Sequence, residues 1–473
     1  MQTYDLIAIG TGSAMNIVAP YLQMHPEARV AVIDRDPPGG ICLTKGCIPT
    51  KLLLYPAEVL RTAEAAADLG IRLTVEAVDF PGIMARMRDT VARDVESIRA
   101  GLTAADNIDY YPATAEYNED GTLTVSGRTI TSETVLLCTG SRPLIPPIEG
   151  LEETGYLTSD TVLAMETLPQ SLVIIGGGYI AAEYGHFFSA MGTKVAIVGR
   201  NPRFLPHEEP EVSAAAQAAS ARWMTILTNH EVRRVETISA GKKKVVARDA
   251  VTGAEKRIIA DEILVAVGRG PTTDLLEPER AGIETDADGW IRVNDHLETT
   301  RPGTWAFGDA IGRHLFKHVA SYGSKVVFYD AILGERVRVS YHAVPHAVFI
   351  HPEVASVGMG QADAEARFGR ADILIGHQRF SDTAKGMAMG ERDGFVKVIA
   401  QRDTERILGA HIIGPHAAIL IQELVTLMYT PEANLIPITE GMHIHPALSE
   451  VVERACGNLM PVDDYNLMVE HGH

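Results

Sequence analysis

Cysteine, tryptophan and long apolar runs are scarce in this chain. Its 473 residues include only 4 cysteines and 3 tryptophans. Four cysteines are too few for a disulfide framework, so a close pair is better explained by catalysis or metal binding. No window approaches the ~18 uninterrupted apolar residues of a membrane-spanning helix. The N-terminal MQTYDLIAIG lacks the basic segment of a signal peptide and predicts a strand, so we expect a cytoplasmic protein.

Positive charge is also in deficit. Lysine and arginine number 42 against 61 acidic residues, which gives a formal net charge of −19. Nucleic acids and anionic membranes both require a basic surface, so neither is predicted as a partner. The length itself predicts roughly three domains.

Two apolar runs each end in a glycine turn and continue into a helical pattern. The first, YDLIAIGTGSAMNIV, has Gly10 and Gly12 at the first two positions of the dinucleotide-binding fingerprint. The second, SLVIIGGGYIAAEYGHFFSAMG, fits the fingerprint with Gly176, Gly178 and Ala181. A second β-branched run follows each, so the sequence predicts two Rossmann-like βαβ units.

The two units differ in the details that choose a ligand. Asp34 ends the second strand of the first unit and can bind the ribose hydroxyls of an adenine nucleotide. The equivalent strand of the second unit ends in Gly199-Arg200, and an arginine attracts a 2′-phosphate, which favours NADP(H). The alternative is that Arg200 is an ordinary surface residue. Met15 replaces the third small residue of the first fingerprint, so looser or repositioned helix packing is expected there.

The two closest cysteines lie in GGICLTKGCIPTK. In an ideal helix Cys42 and Cys47 are too far apart for a relaxed disulfide, which needs Cα atoms ~4.4–6.8 Å apart. Pro49 suits the first turn of a helix, and a helix N-terminus lowers the pKa of a thiol there. No second close pair completes a metal site, and no metal is predicted. Cys138 and Cys456 stand alone and are predicted to be buried small hydrophobic residues.

Seven motifs together resemble the flavoprotein (pyridine nucleotide) disulfide oxidoreductase family. They are GGICLTKGCIPTK, CTGSRP, GGGYIAAE, AVGRGP, FGDA, HPEVASVG and HIHPALSE, in the family's order. The chain looks most like dihydrolipoamide dehydrogenases, with mycothione and mercuric reductases close by. The resemblance implies an α/β fold with an FAD domain (1–147, returning at 273–343), an inserted NAD(P) domain (148–272) and a C-terminal α+β dimerisation domain (344–473).

The resemblance also implies roles for the charged and sulfur-bearing residues. Cys42 would be the interchange thiol that reacts with the substrate, Cys47 would lie against the flavin, and a distorted helix start would bring them together. Lys51 and Glu183 would form an ion pair beside the flavin and nicotinamide rings, where a positive charge stabilises reduced flavin.

The motif HIHPALSE implies a proton-transferring pair, His445 and Glu450, contributed by the neighbouring subunit of a homodimer. Pro446 is expected to open the helix that carries Glu450. His443 receives no role, and His318 in FKHVASYGS is a candidate for a position near the flavin.

The nucleotide-binding residues follow from the same resemblance. Asp309 would bind the ribityl chain of the flavin. The full FAD set is Gly10, Gly12, Asp34, Gly40, Lys51, Thr139, Gly140, Asp309 and Ala310. The NAD(P) set is Gly176, Gly178, Ala181, Glu183, Arg200 and Gly268.

The function predicted is that of a dihydrolipoamide dehydrogenase, passing two electrons between a substrate dithiol, the cysteine pair, FAD and NAD(P). The substrate would be a small disulfide or dithiol, or a lipoyl carrier protein. The alternative is an NADPH-dependent reductase of a low-molecular-weight disulfide, similar to mycothione reductase. A mercuric reductase is disfavoured because DYNLMVEHGH has no vicinal cysteines. A flavoprotein subunit without turnover is disfavoured by the intact cysteine pair and by His445 and Glu450.

Overall fold

The first Rossmann-like unit occupies the N-terminal part of the chain. The computed structural model describes residues 1–471, so the last two residues of the predicted C-terminal domain lie outside it. The strands are β1 (Gln2–Thr3), β2 (Leu6–Ile9), β3 (Val30–Ile33), β4 (Ile108–Tyr111), β5 (Ala115–Tyr117), β6 (Leu123–Val125), β7 (Arg128–Thr131), β8 (Val135–Leu137) and β9 (Ser141–Pro143). The helices are α1 (Met15–Met24), α2 (Gly40–Thr44), α3 (Cys47–Ala65) and α4 (Phe80–Ala104).

A second unit of the same design follows. Its strands are β10 (Leu157–Thr158), β11 (Ser171–Ile175), β12 (Lys194–Val198), β13 (Thr225–Leu227), β14 (His230–Thr237), β15 (Lys243–Asp249), β16 (Glu255–Ala260), β17 (Glu262–Val265) and β18 (Arg269–Pro271). Its helices are α5 (Leu151–Thr154), α6 (Tyr179–Ala190) and α7 (Pro210–Ser220). The parallel sheet runs β10-β17-β11-β12-β13, and β14 to β16 form an antiparallel sheet beside it.

The chain then returns to the first unit. β19 (Thr304–Ala306) pairs with β8 and completes the parallel sheet β19-β8-β2-β3-β4, and α8 (Lys317–Val327) follows. A smaller sheet, β1-β7-β6-β5, lies beside it. The motifs CTGSRP and AVGRGP pair with each other, because β9 and β18 form an antiparallel ribbon.

The C-terminal part is built on one antiparallel sheet of order β20-β21-β24-β23-β22-β25. Its strands are β20 (His346–Val348), β21 (Val354–Gly358), β22 (Ile373–Arg379), β23 (Phe395–Gln401), β24 (Ile407–Ile413) and β25 (Leu459–Pro461). Its helices are α9 (Gln361–Phe368), α10 (Ala384–Met389), α11 (Ala417–Met428), α12 (Ile436–Glu440), α13 (Ser449–Gly457) and α14 (Val462–Glu470). α11 and α13 bury their apolar faces in the same core as this sheet.

Short 3₁₀ turns connect the longer elements, and one π-helical turn, Phe328–Ile332, follows α8. The 3₁₀ turns are Ala66–Leu69, Thr161–Ala164, Ser239–Gly241, Thr273–Leu275, Pro278–Ala281, Gly308–Ile311, Arg370–Asp372 and Phe380–Asp382. Across residues 1–471 no helix is long and apolar enough to cross a membrane.

Both glycine turns are sterically enforced. Gly10 has φ +105° and Gly176 has φ +139°, and a Cβ on either would stand 2.1 or 2.2 Å from the carbonyl oxygen of a neighbouring strand end. Only glycine fits such a position. In the first turn Ala14 is fully buried while Met15 is half-buried at the start of α1. The close packing is therefore made one residue earlier than in the fingerprint, as the repositioned alternative predicted.

Candidate active site

The cysteine pair lies at a break between two helices. α2 ends at Thr44, and α3 begins at Cys47. Gly46 has φ −124° and ψ −116°, and a Cβ there would lie 3.0 Å from the carbonyl oxygen of Ile41, so the turn folds tightly back on α2. The break brings the thiols of Cys42 and Cys47 into hydrogen-bond contact, which one continuous helix would prevent. The predicted distortion is a complete interruption of the helix.

The two thiols have different pKa values. The hydrogen bond from Cys42, reinforced by the positive charge of Lys51, lowers the pKa of Cys47 to about 7, although burial opposes the shift. The same hydrogen bond and burial raise the pKa of Cys42. The pair therefore carries its thiolate on Cys47, and the remaining proton lies on Cys42.

Lys51 and Glu183 form the ion pair that the sequence predicted. Lys51 Nζ lies 2.8 Å from both carboxylate oxygens of Glu183 and 4.3 Å from the centroid of the Phe349 ring. The backbone N–H of Phe349 donates to Glu183 at 3.1 Å. The pair forms because α3 and α6 share a hydrophobic core. Leu54, one turn after Lys51, and Phe187, one turn after Glu183, both lie in that core, which brings the two charged side chains together.

The charge at Lys51 gives a direct prediction for the thiolate. In reduced enzyme, Lys51→Met is expected to move the pH midpoint for iodoacetamide alkylation of Cys47 above about 7, because a stabilising cation is lost. Glu183→Gln is expected to move it in the opposite direction, since the carboxylate opposes the thiolate. Alkylation at each pH is quantified by peptide mass spectrometry. Lys45→Met, which removes an equal charge paired with Asp36, is the control, and equal shifts in both lysine variants would contradict the assignment.

His445 and Glu450 also meet as predicted. His445 Nδ1 lies 2.8 Å from Glu450 Oε1, and the backbone N–H of Ala447 donates to Oε2 at 3.0 Å. The hydrogen bond from His445 and then that of Ala447 hold the pKa of Glu450 below its usual range. Glu450 is in the first turn of α13 as expected, but Pro446 does not open that helix. α13 begins at Ser449, and Pro446, which follows a cis peptide bond, lies three residues before that helix.

The His445–Glu450 pair is a separate cluster within one chain. The side chain of His445 is 66% exposed, and no hydrogen bond or ion pair in residues 1–471 connects it to either cysteine. His443, for which no role was predicted, bonds instead to Glu423, with Nε2 3.1 Å from Oε1. His318 lies 2.8 Å from the carbonyl oxygen of Pro345, and its position relative to a flavin stays a prediction.

The predicted FAD residues fit a dinucleotide. Gly40 approaches Gly12 so closely that a Cβ on it would stand 2.5 Å from the Gly12 Cα. Asp34 accepts from the backbone N–H of Thr11 at 2.8 Å and its hydroxyl at 2.5 Å, and burial raises the pKa of Asp34. Thr139 has a buried hydroxyl without a partner among the described residues. A close approach of two glycines leaves the backbone accessible to a ligand, and a buried hydroxyl without a partner suits a polar one.

The remaining FAD candidates lie at the end of the sheet. Asp309 accepts from the hydroxyl of Ser141 at 2.6 Å, and burial raises the pKa of Asp309. Ala310 is fully buried, and Gly140, with φ +74°, packs against Ile41. Cys138, expected to be buried, is half-buried just after β8, whereas Cys456 is buried as predicted and lies in α13.

The second predicted nucleotide site lies at the glycine turn that starts α6. A Cβ on Gly178 would meet nothing within 4 Å at the start of α6, Ala181 is fully buried, and Gly268 has φ +129° in the turn before β18. Arg200 is exposed after β12, and neither it nor exposed Arg203 forms an ion pair with any described residue. Arg203 follows Arg200 by three positions in the segment GRNPRF.

No group of three or more histidine, cysteine or acidic side chains within residues 1–471 could hold a metal ion. Two sheets of dinucleotide-binding type, with a dithiol at the break between α2 and α3, are the framework of a nucleotide-linked redox flavoprotein. The sequence matches the family model "Pyridine nucleotide-disulphide oxidoreductase" over residues 4–333 and that family's dimerisation domain over residues 344–456. The chain belongs to the pyridine nucleotide-disulphide oxidoreductase family, which confirms the predicted resemblance.

Similar proteins cover the chain almost completely. A mycothione reductase of Mycobacterium tuberculosis is 35% identical over 471 residues, covering 96% of this chain and 99% of that protein. A dihydrolipoyl dehydrogenase of Synechocystis is 32% identical over 470 residues, covering 96% and 98%. The solved structure of the HOCl-induced flavoprotein disulfide reductase RclA from Escherichia coli, a Cu(II) complex, has a TM-score of 0.85 and 26% identity, covering 97% and 99%. These matches confirm the predicted fold class, and the family implies FAD and a pyridine nucleotide.

Proposed function

We propose that the protein is an FAD-dependent enzyme that uses NADPH to reduce a low-molecular-weight disulfide. The observation that carries the choice of nucleotide is Arg200, which follows β12 with an exposed guanidinium that no described carboxylate neutralises. An acid at this place would bind a ribose 2′-hydroxyl, whereas an unpaired arginine binds a 2′-phosphate. The 35% identity to a mycothione reductase supports the same class of substrate.

The cysteines and His445 supply the thiol chemistry. His445 takes the proton of Cys42, whose sulfur attacks the substrate disulfide, forming a mixed disulfide and releasing the first thiolate. The Cys47 thiolate then attacks Cys42, which closes the Cys42–Cys47 disulfide and releases the second thiolate. Protonated His445 returns its proton to a leaving thiolate. Bound FAD would supply the two-electron transfer between NADPH and the Cys42–Cys47 disulfide, and this transfer would restore the dithiol.

A homodimer is part of this proposal. The dimerisation-type domain and the separation of His445 from the cysteines support a site completed across a two-fold axis. Met442 and Ile444, beside His445, are 103% and 79% exposed, and exposed apolar side chains favour burial against another protein surface. A cytoplasmic location, where free thiols persist, belongs to the proposal as well.

Dihydrolipoamide dehydrogenase is the second candidate, supported by the 32% identity to a dihydrolipoyl dehydrogenase. The same residues would act in the opposite direction, with His445 deprotonating a dihydrolipoyl thiol that attacks Cys42. Steady-state assays with NADPH and NADH against oxidised lipoamide and a panel of low-molecular-weight disulfides separate the two. We expect NADPH with a low-molecular-weight disulfide to be preferred. A strong preference for NADH with lipoamide, free or on a carrier, would establish the second candidate instead.

Arg200 gives a further prediction. Arg200→Ala is expected to raise the KM for NADPH about 10-fold with little change in kcat, because one charge-assisted hydrogen bond to the 2′-phosphate is lost. The KM for NADH should stay unchanged, since NADH lacks that phosphate. Arg233→Ala, at another exposed arginine of the same part of the chain, is the control. An equal loss with both nucleotides would refute the role of Arg200 in choosing the nucleotide.

A further inference from the structure

Lys317 is a cation that the proposed chemistry has not used. We infer that its ammonium balances negative charge on the bound flavin nucleotide, as a second cation on the flavin besides Lys51. The inference rests on the proposed function, because it takes FAD as the cofactor. It concerns a residue outside every motif that carried the family resemblance.

The contacts of Lys317 place it at the first glycine turn. Lys317 Nζ donates to the hydroxyl of Ser13 at 2.8 Å, and Ser13 is buried directly after Gly12. In βαβ units the pyrophosphate of a dinucleotide binds at this turn, against the N-terminus of the following helix. The ammonium therefore lies where the phosphates of a dinucleotide are expected.

The same charge acts on two sulfur atoms nearby. The hydrogen bond to Cys47 raises the pKa of Cys42, and the positive charge of Lys317 opposes that rise. It opposes the rise that burial causes in Cys138 as well. One ammonium thus influences both the dithiol and the end of β8.

Two further features add to the positive potential. Lys317 is the first residue of α8, an 11-residue helix, so the unpaired N–H groups of the helix start face the same region as the ammonium. No carboxylate among residues 1–471 forms an ion pair with Lys317, so its charge is not neutralised within the described chain. Thr139, one residue after Cys138, has a buried hydroxyl without a partner among the described residues.

Negative charge on a flavin nucleotide has two sources. The pyrophosphate is charged in both redox states, whereas the ring becomes anionic only on reduction. A contact with the phosphates strengthens the binding of FAD in either state. A contact with the ring instead raises the reduction potential of the bound flavin, because reduced flavin is stabilised preferentially.

The test uses Lys317→Met in the full-length protein. Apoprotein is titrated with oxidised FAD by flavin fluorescence, and the flavin potential of the holoenzyme is measured against reference dyes. If the phosphates are the partner of Lys317, we expect FAD to bind about 10- to 100-fold more weakly to the variant, because one hydrogen bond to a charged group is lost. A lower flavin potential with unchanged affinity is expected if the ring is the partner. Lys325→Met removes an equal charge from the exposed side of α8 and is the matched control, and Lys317→Arg is expected to restore both quantities.

The outcomes are distinguishable. Wild-type affinity and potential in Lys317→Met, or equal changes in Lys325→Met, would overturn the inference while leaving the proposed function intact. A wild-type protein that binds no FAD would refute the proposed function itself. Circular dichroism of each variant separates a folding defect from a loss of binding, and the Lys317→Arg variant tests the charge in a protein of wild-type fold.

Discussion

Replacing Cys47 with serine is expected to reduce disulfide turnover to below about one thousandth of the wild-type rate while FAD stays bound. Serine retains the size of cysteine but cannot form the intramolecular disulfide, so the second thiolate of the substrate is never released. The substrate should instead remain attached to Cys42 as a mixed disulfide. Intact-protein mass spectrometry after incubation of the prereduced variant with a disulfide detects this adduct and its loss on reduction.

Cys42→Ser tests the order of the two sulfur atoms. This variant should be equally inactive but should form no adduct, because the sulfur that attacks the substrate is absent. Cys456→Ala is the control, since Cys456 is buried in α13 away from both cysteines and should keep near wild-type turnover. An adduct on Cys47 in the Cys42→Ser variant, with none in Cys47→Ser, would reverse the assigned roles.

Most of the site could be predicted from the sequence because each motif contains residues that contact a neighbouring helix or strand. Lys51 and Glu183 are 132 positions apart, yet each stands one turn from the apolar residues that pack α3 against α6. Once the two fingerprint units are recognised, that packing follows, and the ion pair follows from the packing. The Cys42–Cys47 contact was predicted only as a distortion, because no helical periodicity marks the interruption at Lys45 and Gly46.

Other features depend on contacts between distant segments and leave no pattern in the sequence. Lys397 in FVKVIA reads as the solvent-facing lysine of a strand, yet it is fully buried. Its Nζ lies 2.6 Å from Glu209 and 3.1 Å from Glu211, both from the segment that starts α7. A buried lysine needs such partners, and nothing in the alternation of β23 shows where they come from. The predicted helix start at Pro446 was wrong for a similar reason. A proline there favours a helix start locally, but the residues after it form the turn that holds His445 against Glu450.

His445→Ala is expected to lower turnover about 100- to 10,000-fold, the usual range for loss of a general acid–base. FAD binding and nucleotide-dependent reduction of the flavin should remain, since His445 contacts neither glycine turn. Glu450→Gln should lose less, because the imidazole stays in place and only the carboxylate that orients it is weakened. Rapid-mixing measurements separate the two half-reactions, and slow flavin reduction by nucleotide in His445→Ala would contradict this role.

A mixture of two inactive variants shows whether each site is shared between subunits. Differently tagged Cys42→Ser and His445→Ala chains are coexpressed, so that random pairing makes about half of the dimers hybrid. In a hybrid, one site combines the cysteines of the His445→Ala chain with the histidine of the Cys42→Ser chain and is intact, while the other site is doubly defective. The unfractionated mixture should therefore recover about a quarter of wild-type turnover, and hybrids purified through both tags about a half. If His445 served the cysteines of its own chain, no hybrid site would be intact and the purified hybrids would stay inactive.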